Sequence, residues 1–266
     1  MGHTLRYTVN CSLLFTELPL LRRPAAARAA GFDAVEFWWP FDRPVPDDAE
    51  VAEFTAAIED AGVRLTGLNF FAGDMPAGDR GVLSSPVRAA EFRANIDVVV
   101  EIGRRLGTTG FNALYGLREA GVPAADSDAV ALESITAAAK AVAAIGGTVL
   151  VEPVSGAPGY PLRTAADALR VVHAAHAAGA DNVAVLADFY HLAVNGDDVA
   201  AVVEEHAAEF GHIQIADHPG RGEPGTGTLP LPELLAAAQR RGYTGRVGLE
   251  YRPTVPTTES LAWLER

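Results

Sequence analysis

The chain has few of the features that mark secreted, membrane-embedded or metal-thiolate proteins. Its 266 residues contain one cysteine, Cys11, which excludes a disulfide framework and a cysteine-based zinc site. No run of 18 apolar residues occurs, and the first residues, MGHTLRYTVN, lack the basic and apolar regions of a signal peptide. These absences predict a soluble, cytoplasmic protein that does not enter a membrane.

Basic residues are scarce relative to acidic ones. The chain has 21 Lys and Arg against 34 Asp and Glu, which gives a formal net charge of −13. Such an acidic chain repels phosphate backbones, so general nucleic-acid binding is not expected. We expect a small-molecule substrate as partner instead. An anionic substrate would need a local group of arginines.

A repeated unit runs through the sequence: helix, glycine, short apolar strand, polar residue. It recurs seven times, for example as AARAAGFDAVEF, AVAAIGGTVLVEP and AAQRRGYTGRVGLEY, and a further strand, RYTVNCS, opens the chain. Glycine ends helices because it adopts the left-handed cap conformation, and continuous apolar runs are typical of buried parallel strands. Eight strands and eight helices predict an α/β fold, a (β/α)8 TIM barrel, as a single domain over residues 1–266. A doubly wound open sheet is the runner-up, but no GxGxxG turn follows the first strand.

The helices are predicted between these strands. Alanine, leucine and valine recur there at helical spacing, and Asp47, Ser127, Thr164 and Asp197 are the expected N-caps. The predicted ranges are 19–30, 47–61, 86–106, 127–144, 164–178, 197–209, 230–241 and 258–266.

Each predicted strand ends on a carboxylate or carboxamide side chain, and in a barrel all these ends meet at one mouth. Converging carboxylates repel each other unless a cation lies among them. Glu152, Asp188, Gln214 and Glu250 come from neighbouring strands and offer only hard oxygen donors, so they predict a divalent metal site, with Mg²⁺ or Mn²⁺ favoured over Zn²⁺. One such acid alone is more often an N-cap or the partner of a surface arginine. The full set of strand-end residues is Asn10, Glu36, Asn69, Asn112, Glu152, Asp188, Gln214 and Glu250.

Other polar residues near the predicted mouth are candidates for substrate contacts. His191 lies three residues after the sixth strand end, and Arg221 lies in a long Gly/Pro-rich loop where its guanidinium could bind a carboxylate. Arg252, just past the eighth strand, is a second candidate for that carboxylate. Asn69 and Asn112 end the third and fourth strands, although turn formation explains Asn69 equally well. The aromatic run FWWP after the second strand either walls the pocket or packs in the core.

Six segments, spread over residues 10–253, carry a family resemblance. They are SLLFTELP, AAARAAGFDAVEFWWP, AGDMPAGDRG, DFYHL, GHIQIADHPGRGEPGTG and GLEYRP. They closely resemble hydroxypyruvate isomerase, a family of the xylose isomerase-like barrels related to the tagatose/psicose 3-epimerases. The resemblance implies the same four metal ligands. It also implies an acid/base pair formed by Glu152 and Glu250, with substrate contacts from His191 and Arg221.

Three positions depart from the family pattern. The loop after Glu152, EPVSGAPGYPL, is shorter than usual and lacks an Asn. Thr228 stands where the family usually has Glu, and Asn112 stands where it tends to have His. These positions surround the substrate rather than the metal, so they leave the reaction type unchanged and the substrate open.

The resemblance implies an aldose–ketose type isomerase that acts on a small hydroxy-oxo acid. The reaction would be a 1,2-proton shift through a metal-stabilised cis-enediolate, with hydroxypyruvate converted to tartronate semialdehyde. One alternative is a ketose 3-epimerase with a sugar substrate, whose third metal ligand is usually His where Gln214 stands. Another is a lyase of the inosose or 3-dehydroshikimate dehydratase kind.

Two further classes are disfavoured. A relative of the apurinic endonucleases would need several zinc-binding histidines and a basic face for DNA, whereas three of the seven histidines lie inside predicted helices. A non-catalytic binding protein would not need an intact set of ligands. Related barrels often pair, so a homo-oligomer is compatible with the sequence.

Overall fold

The strands form the closed barrel that the sequence predicts. In the computed structural model, which describes residues 2–265, eight parallel strands pair in chain order and the eighth pairs with the first. The (β/α)8 prediction is therefore confirmed and the open-sheet alternative is wrong. Met1 and Arg266 lie outside the described residues, and the single-domain span 1–266 stays a prediction. The strands are β1 Tyr7–Asn10, β2 Ala34–Phe37, β3 Arg64–Asn69, β4 Gly110–Asn112, β5 Thr148–Val151, β6 Val183–Asp188, β7 Phe210–Ile215 and β8 Val247–Leu249.

Helices connect the strands and cover the barrel. The longer helices bury an apolar stripe, as α3 does with Phe92, Ile96 and Val99. No helix within residues 2–265 has both the length and the apolar character needed to cross a bilayer. The helices are α1 Arg23–Ala29, α2 Asp48–Ala61, α3 Ala89–Leu106, α4 Ala124–Ala143, α5 Ala165–Ala177, α6 Phe189–Asn195, α7 Val199–His206, α8 Leu231–Arg240 and α9 Thr257–Ser260, with 3-10 turns at Leu20–Arg22, Ala207–Glu209 and Ala262–Glu265.

Two of the four predicted N-caps are wrong. Asp47 and Thr164 do cap α2 and α5, but α4 begins three residues before Ser127, which is buried inside the helix. Asp198 caps α7, and its neighbour Asp197 instead accepts a hydrogen bond of 2.8 Å from the first residue of α5. The last predicted helix, 258–266, consists of α9 and a 3-10 turn, and its final residue lies outside the described residues.

A short helix that the apolar pattern did not predict, α6, follows β6 without a loop. Asp188 ends β6 and caps α6, because its Oδ1 accepts hydrogen bonds from the backbone N–H groups of Tyr190 (2.8 Å) and His191 (3.3 Å). The helical turn brings His191 back beside Asp188, as its spacing in the sequence suggested. Seven residues are too few for a helical period to be visible in the sequence.

The polar side chain of β2, Glu36, lies in the barrel interior with residues from seven strands around it. Its Oε1 accepts hydrogen bonds from Gln214 (2.7 Å) and Asn10 (3.3 Å), and its Oε2 lies 2.8 Å from Nε2 of His212. Gly248 on β8 leaves room for this group, because a Cβ there would lie 2.5 Å from the Glu36 Oε1. Glu36 therefore belongs to a buried polar network beneath the mouth.

Candidate active site

Three carboxylates and one imidazole converge at the mouth of the barrel. Glu152, Asp188, His191 and Glu250 are all buried, and each places one ligand atom within 4.8 Å of the others. Glu152 and Glu250 follow β5 and β8 directly, and Asp188 is the last residue of β6. Parallel strands deliver their carboxyl ends to the same face, so three of the four predicted metal ligands meet there.

The fourth predicted ligand, Gln214, lies beside this cluster. Its backbone is in register with Asp188 on β6 and Gly248 on β8, and its Nε2 donates to Glu36. Its Oε1 is buried and accepts no hydrogen bond from the described residues, and the same holds for Oδ2 of Asp188. Buried oxygen atoms without a donor are costly unless a cation binds them. The donor set therefore fits a divalent cation, and Gln214 as a ligand stays a prediction.

The carboxylate of Glu250 accepts several hydrogen bonds, and its pKa is raised. Its Oε1 accepts from the indole N–H of Trp38 (2.7 Å) and from Nδ2 of Asn10 (3.0 Å), and its Oε2 contacts the Arg221 guanidinium. Burial raises the pKa of Glu250 to about 7. Arg221 opposes this rise and the Asp188 carboxylate adds to it. Glu250 is thus poised between its acid and base forms near neutral pH.

Glu152 is held by one strong hydrogen bond, and its pKa is also raised. Nδ2 of Asn112 donates to its Oε2 at 2.6 Å. Burial raises the pKa of Glu152 well above its ordinary value, and repulsion from Glu250 and Asp188 adds to the effect. Burial likewise raises the pKa of Asp188, against the opposing charge of Arg221. The structure therefore places Asn112, a predicted substrate contact, against the side chain of Glu152.

His191 is a neutral hydrogen-bond donor in this arrangement. Its Nδ1 lies 3.1 Å from the backbone N–H of Ser155 and 2.6 Å from the Ser155 hydroxyl. A backbone N–H can only donate, so Nδ1 is an acceptor and the ring proton is on Nε2. Burial, with the charge of Arg221, lowers the pKa of His191 to about 3, and Nε2 lies 3.6 Å from Asp188 Oδ2 and 3.9 Å from Glu152 Oε1. His191 can therefore donate to a substrate oxygen but has no lone pair on Nε2 for a metal.

Arg221 lies among the carboxylates. Its side chain is 14% exposed, contacts Glu250 and lies 3.8 Å from Oδ2 of Asp188. The guanidinium also stacks over the Tyr190 ring, 5.4 Å from its centroid. Burial disfavours its charge, but Glu250, Asp188 and Glu152 together raise the pKa of Arg221 above its ordinary value. The arginine thus neutralises part of the acidic cluster.

A cavity of about 500 Å³ opens over the cluster. Two of the predicted substrate contacts line it: Asn69 at the end of β3, and Arg252 just after β8, which is exposed to solvent. The other predicted residues in its wall are Glu152, Glu250, His191 and Arg221.

Several residues that line the cavity were missed from the sequence. Trp38 belongs to the FWWP run and Arg80 to the AGDMPAGDRG segment, so the motifs indicated the segments but not which side chain faces the site. Ser155 lies in the shortened loop after β5 and carries no sequence signal for its contact with His191. Tyr190 follows the sixth strand end and stacks beside Arg221.

A closed parallel barrel with buried carboxylates and a histidine at its mouth defines a barrel protein whose site could hold a metal ion, and sequence comparison identifies the family. The profile of the xylose isomerase-like TIM barrel family matches residues 24–266, so the chain belongs to that family. It is 53% identical over 265 residues to a putative hydroxypyruvate isomerase of Streptomyces coelicolor, which covers 97% of this chain and 95% of that protein.

Two further comparisons agree. A 2-oxo-tetronate isomerase of Cupriavidus necator is 37% identical over 262 residues, covering 98% of this chain and 97% of that protein. Among solved structures, an AP endonuclease, family 2, from Brucella melitensis superposes with a TM-score of 0.88 at 32% identity, covering 98% of both chains. The predicted family is confirmed, and the protein is an enzyme of the hydroxypyruvate isomerase type.

Proposed function

We propose that the protein interconverts hydroxypyruvate and tartronate semialdehyde, or the matching pair of a closely related 2-oxo hydroxy acid. Relatives named for hydroxypyruvate and for 2-oxo-tetronate support this class of substrate. The observation that carries the proposal is the pair of buried glutamates, Glu152 and Glu250, at the wall of one cavity. The pKa values of both are raised by burial, and that of Glu250, about 7, suits proton transfer near neutral pH.

We propose Mg²⁺ or Mn²⁺ as the metal at this site. The donors would be the carboxylates of Glu152, Asp188 and Glu250 with the amide oxygen of Gln214, and hard oxygen donors favour these ions. When bound, the ion supplies positive charge that polarises a carbonyl oxygen.

Several side chains of this protein would share the steps of the proton transfer. One of the two glutamates, Glu152 or Glu250, takes a proton from the hydroxymethyl carbon, and the same or the opposite glutamate returns one to the former carbonyl carbon. Meanwhile the hydroxyl proton moves to the former carbonyl oxygen, so atoms and charge balance through an enediolate. His191 donates its Nε2 proton as a hydrogen bond to one of these oxygens. Trp38 and Asn10 hold the carboxylate of Glu250 in place through their N–H groups.

The test is turnover by the metal-loaded protein, followed by proton NMR. We expect hydroxypyruvate or 2-oxo-tetronate to be isomerised, and Glu250→Gln to lower kcat by at least about 100-fold, as loss of an acid/base group does. The control is Glu53→Gln, which changes an exposed glutamate on α2 and should leave turnover unchanged. Epimerisation of a ketose, or a new ultraviolet absorbance from a dehydration product, with no isomerised acid, would replace this proposal by an epimerase or a lyase.

A further inference from the structure

Three arginines line the cavity, and they differ in what their guanidinium groups already bind. The three are Arg80, Arg221 and Arg252. Arg221 is the buried one, and it contacts the carboxylate of Glu250 and lies 3.8 Å from that of Asp188. A substrate carboxylate there would compete with these buried acids for the charge of Arg221, which is costly because each acid would lose part of its compensating charge.

The formal charges of the cluster also argue against Arg221 as the group that binds a substrate carboxylate. Glu152, Asp188 and Glu250 contribute three negative charges, and Arg221 with a divalent cation contributes three positive ones. The cluster is then neutral without a substrate. A substrate that carries a carboxylate brings one more negative charge, so it requires a cation that the cluster does not already use.

Arg80 is such a cation. It is half-buried in the segment after β3, and its Nη1 donates to the backbone carbonyls of Met75 (3.0 Å) and Asp79 (2.6 Å). Asp79 forms its ion pair with Arg88 (2.7 Å), and within residues 2–265 no carboxylate pairs with Arg80. Backbone carbonyls thus hold the guanidinium in place, while its Nε and Nη2 donors make no hydrogen bond to the described residues. Its charge also reaches the site, since it contributes to lowering the pKa of His191.

Arg252 is a weaker candidate for the same task. Its side chain is exposed and makes no hydrogen bond with the described residues. Only its backbone N–H is bonded, to the carbonyl of Arg221. Ordering a free, solvated arginine side chain on a ligand costs rotamer entropy that the pre-positioned Arg80 avoids.

We infer that Arg80 binds the carboxylate of the substrate, while Arg221 serves the catalytic carboxylates. The substrate then lies across the cavity, with its carboxylate on the β3 side and its two reacting carbons beside Glu152 and Glu250. This inference rests on the proposed function, because it needs an anionic substrate. It assigns to Arg80 the contact with the substrate carboxylate that the sequence predicted for Arg221.

The experiment compares an anionic substrate with an uncharged analogue of the same length. Hydroxypyruvate and dihydroxyacetone differ by a carboxylate against a hydroxymethyl group, and the same proton shift can be written for both. In the metal-loaded enzyme, Arg80→Gln should raise KM for hydroxypyruvate about 10- to 100-fold, the effect of losing a charged hydrogen bond. Turnover of dihydroxyacetone, or its inhibition constant against hydroxypyruvate, should change by less than about threefold because no charge is bound. Arg80→Lys should show a smaller rise in KM, and Arg93→Gln, an exposed arginine on α3, should show none.

The other outcomes contradict the inference in distinct ways. An equal loss with both compounds means that Arg80 only supports the loop. A selective loss of hydroxypyruvate binding in Arg252→Gln, with Arg80→Gln unaffected, places the carboxylate at Arg252. If the unmodified enzyme isomerises no hydroxy-oxo acid, the proposed function itself fails, and this result is seen before any arginine variant is made.

Discussion

Removing the charge of Glu250 should stabilise the metal-free protein at alkaline pH while it lowers kcat. Burial raises the pKa of this carboxyl from 4.5 to about 7, with Arg221 opposing and Asp188 reinforcing the rise. The folded state therefore holds the proton more tightly than the unfolded chain does. Stability from this group is fully present below about pH 4.5 and is lost as the pH rises to about 7.

The size of the effect follows from the shift in pKa. A rise from 4.5 to about 7 corresponds, at 1.36 kcal/mol per unit, to about 3 kcal/mol of lost stability above pH 7. At pH 5 the same relation leaves less than about 1 kcal/mol. Glutamine resembles the protonated acid, so Glu250→Gln should gain about 2 kcal/mol relative to the native protein between pH 5 and pH 8. For a protein of this size that is roughly 4–8 °C in Tm.

The assay is thermal and urea unfolding of the chelator-treated protein at pH 5 and pH 8. The native sequence, Glu250→Gln and the exposed control Glu53→Gln are compared at each pH. The advantage of Glu250→Gln should appear at pH 8, shrink at pH 5, and be absent in the control. A difference between Glu250→Gln and the native protein that is the same at both pH values would show that Glu250 carries no electrostatic strain. The case for a cation site built on that strain would then fail.

Three further predictions concern the metal, the indole and the barrel interior. Mn²⁺ at 100 times its dissociation constant should stabilise the chelator-treated protein by about 2.7 kcal/mol in thermal unfolding. Asp188→Asn should lose most of this gain, and an undiminished gain would place the ion elsewhere. Trp38→Phe removes the N–H that favours ionised Glu250, so the acidic limb of the pH–rate profile should move to higher pH, and an unmoved limb would contradict this role. Gly248→Ala would place a Cβ 2.5 Å from a buried carboxylate oxygen and should cost about 1–3 kcal/mol in urea unfolding. Gly2→Ala, with no atom within 4 Å, should cost nothing measurable, and equal losses would refute the steric argument.

The barrel and the location of its site could be predicted from the sequence because both depend on local patterns. Continuous apolar runs that follow helix-ending glycines indicate buried parallel strands, and the first polar residue after such a run must lie at the carboxyl edge. Glu152, Asp188 and Glu250 were identified by that rule, and they do meet there. His191 followed from its spacing, since one helical turn after a strand end returns a side chain to the same edge.

The direction in which each polar side chain points was decided by the tertiary structure alone. Glu36 and Glu250 have the same sequence pattern, but strand register turns the first into the barrel interior and leaves the second at the cavity. Trp38, Arg80 and Ser155 reach the site through loops whose paths depend on packing against distant segments, so no periodicity reveals them. The free energy of such contacts depends on which residues become neighbours after the barrel closes. Local sequence therefore determined the scaffold and the acids, and folding determined which arginine contacts those acids.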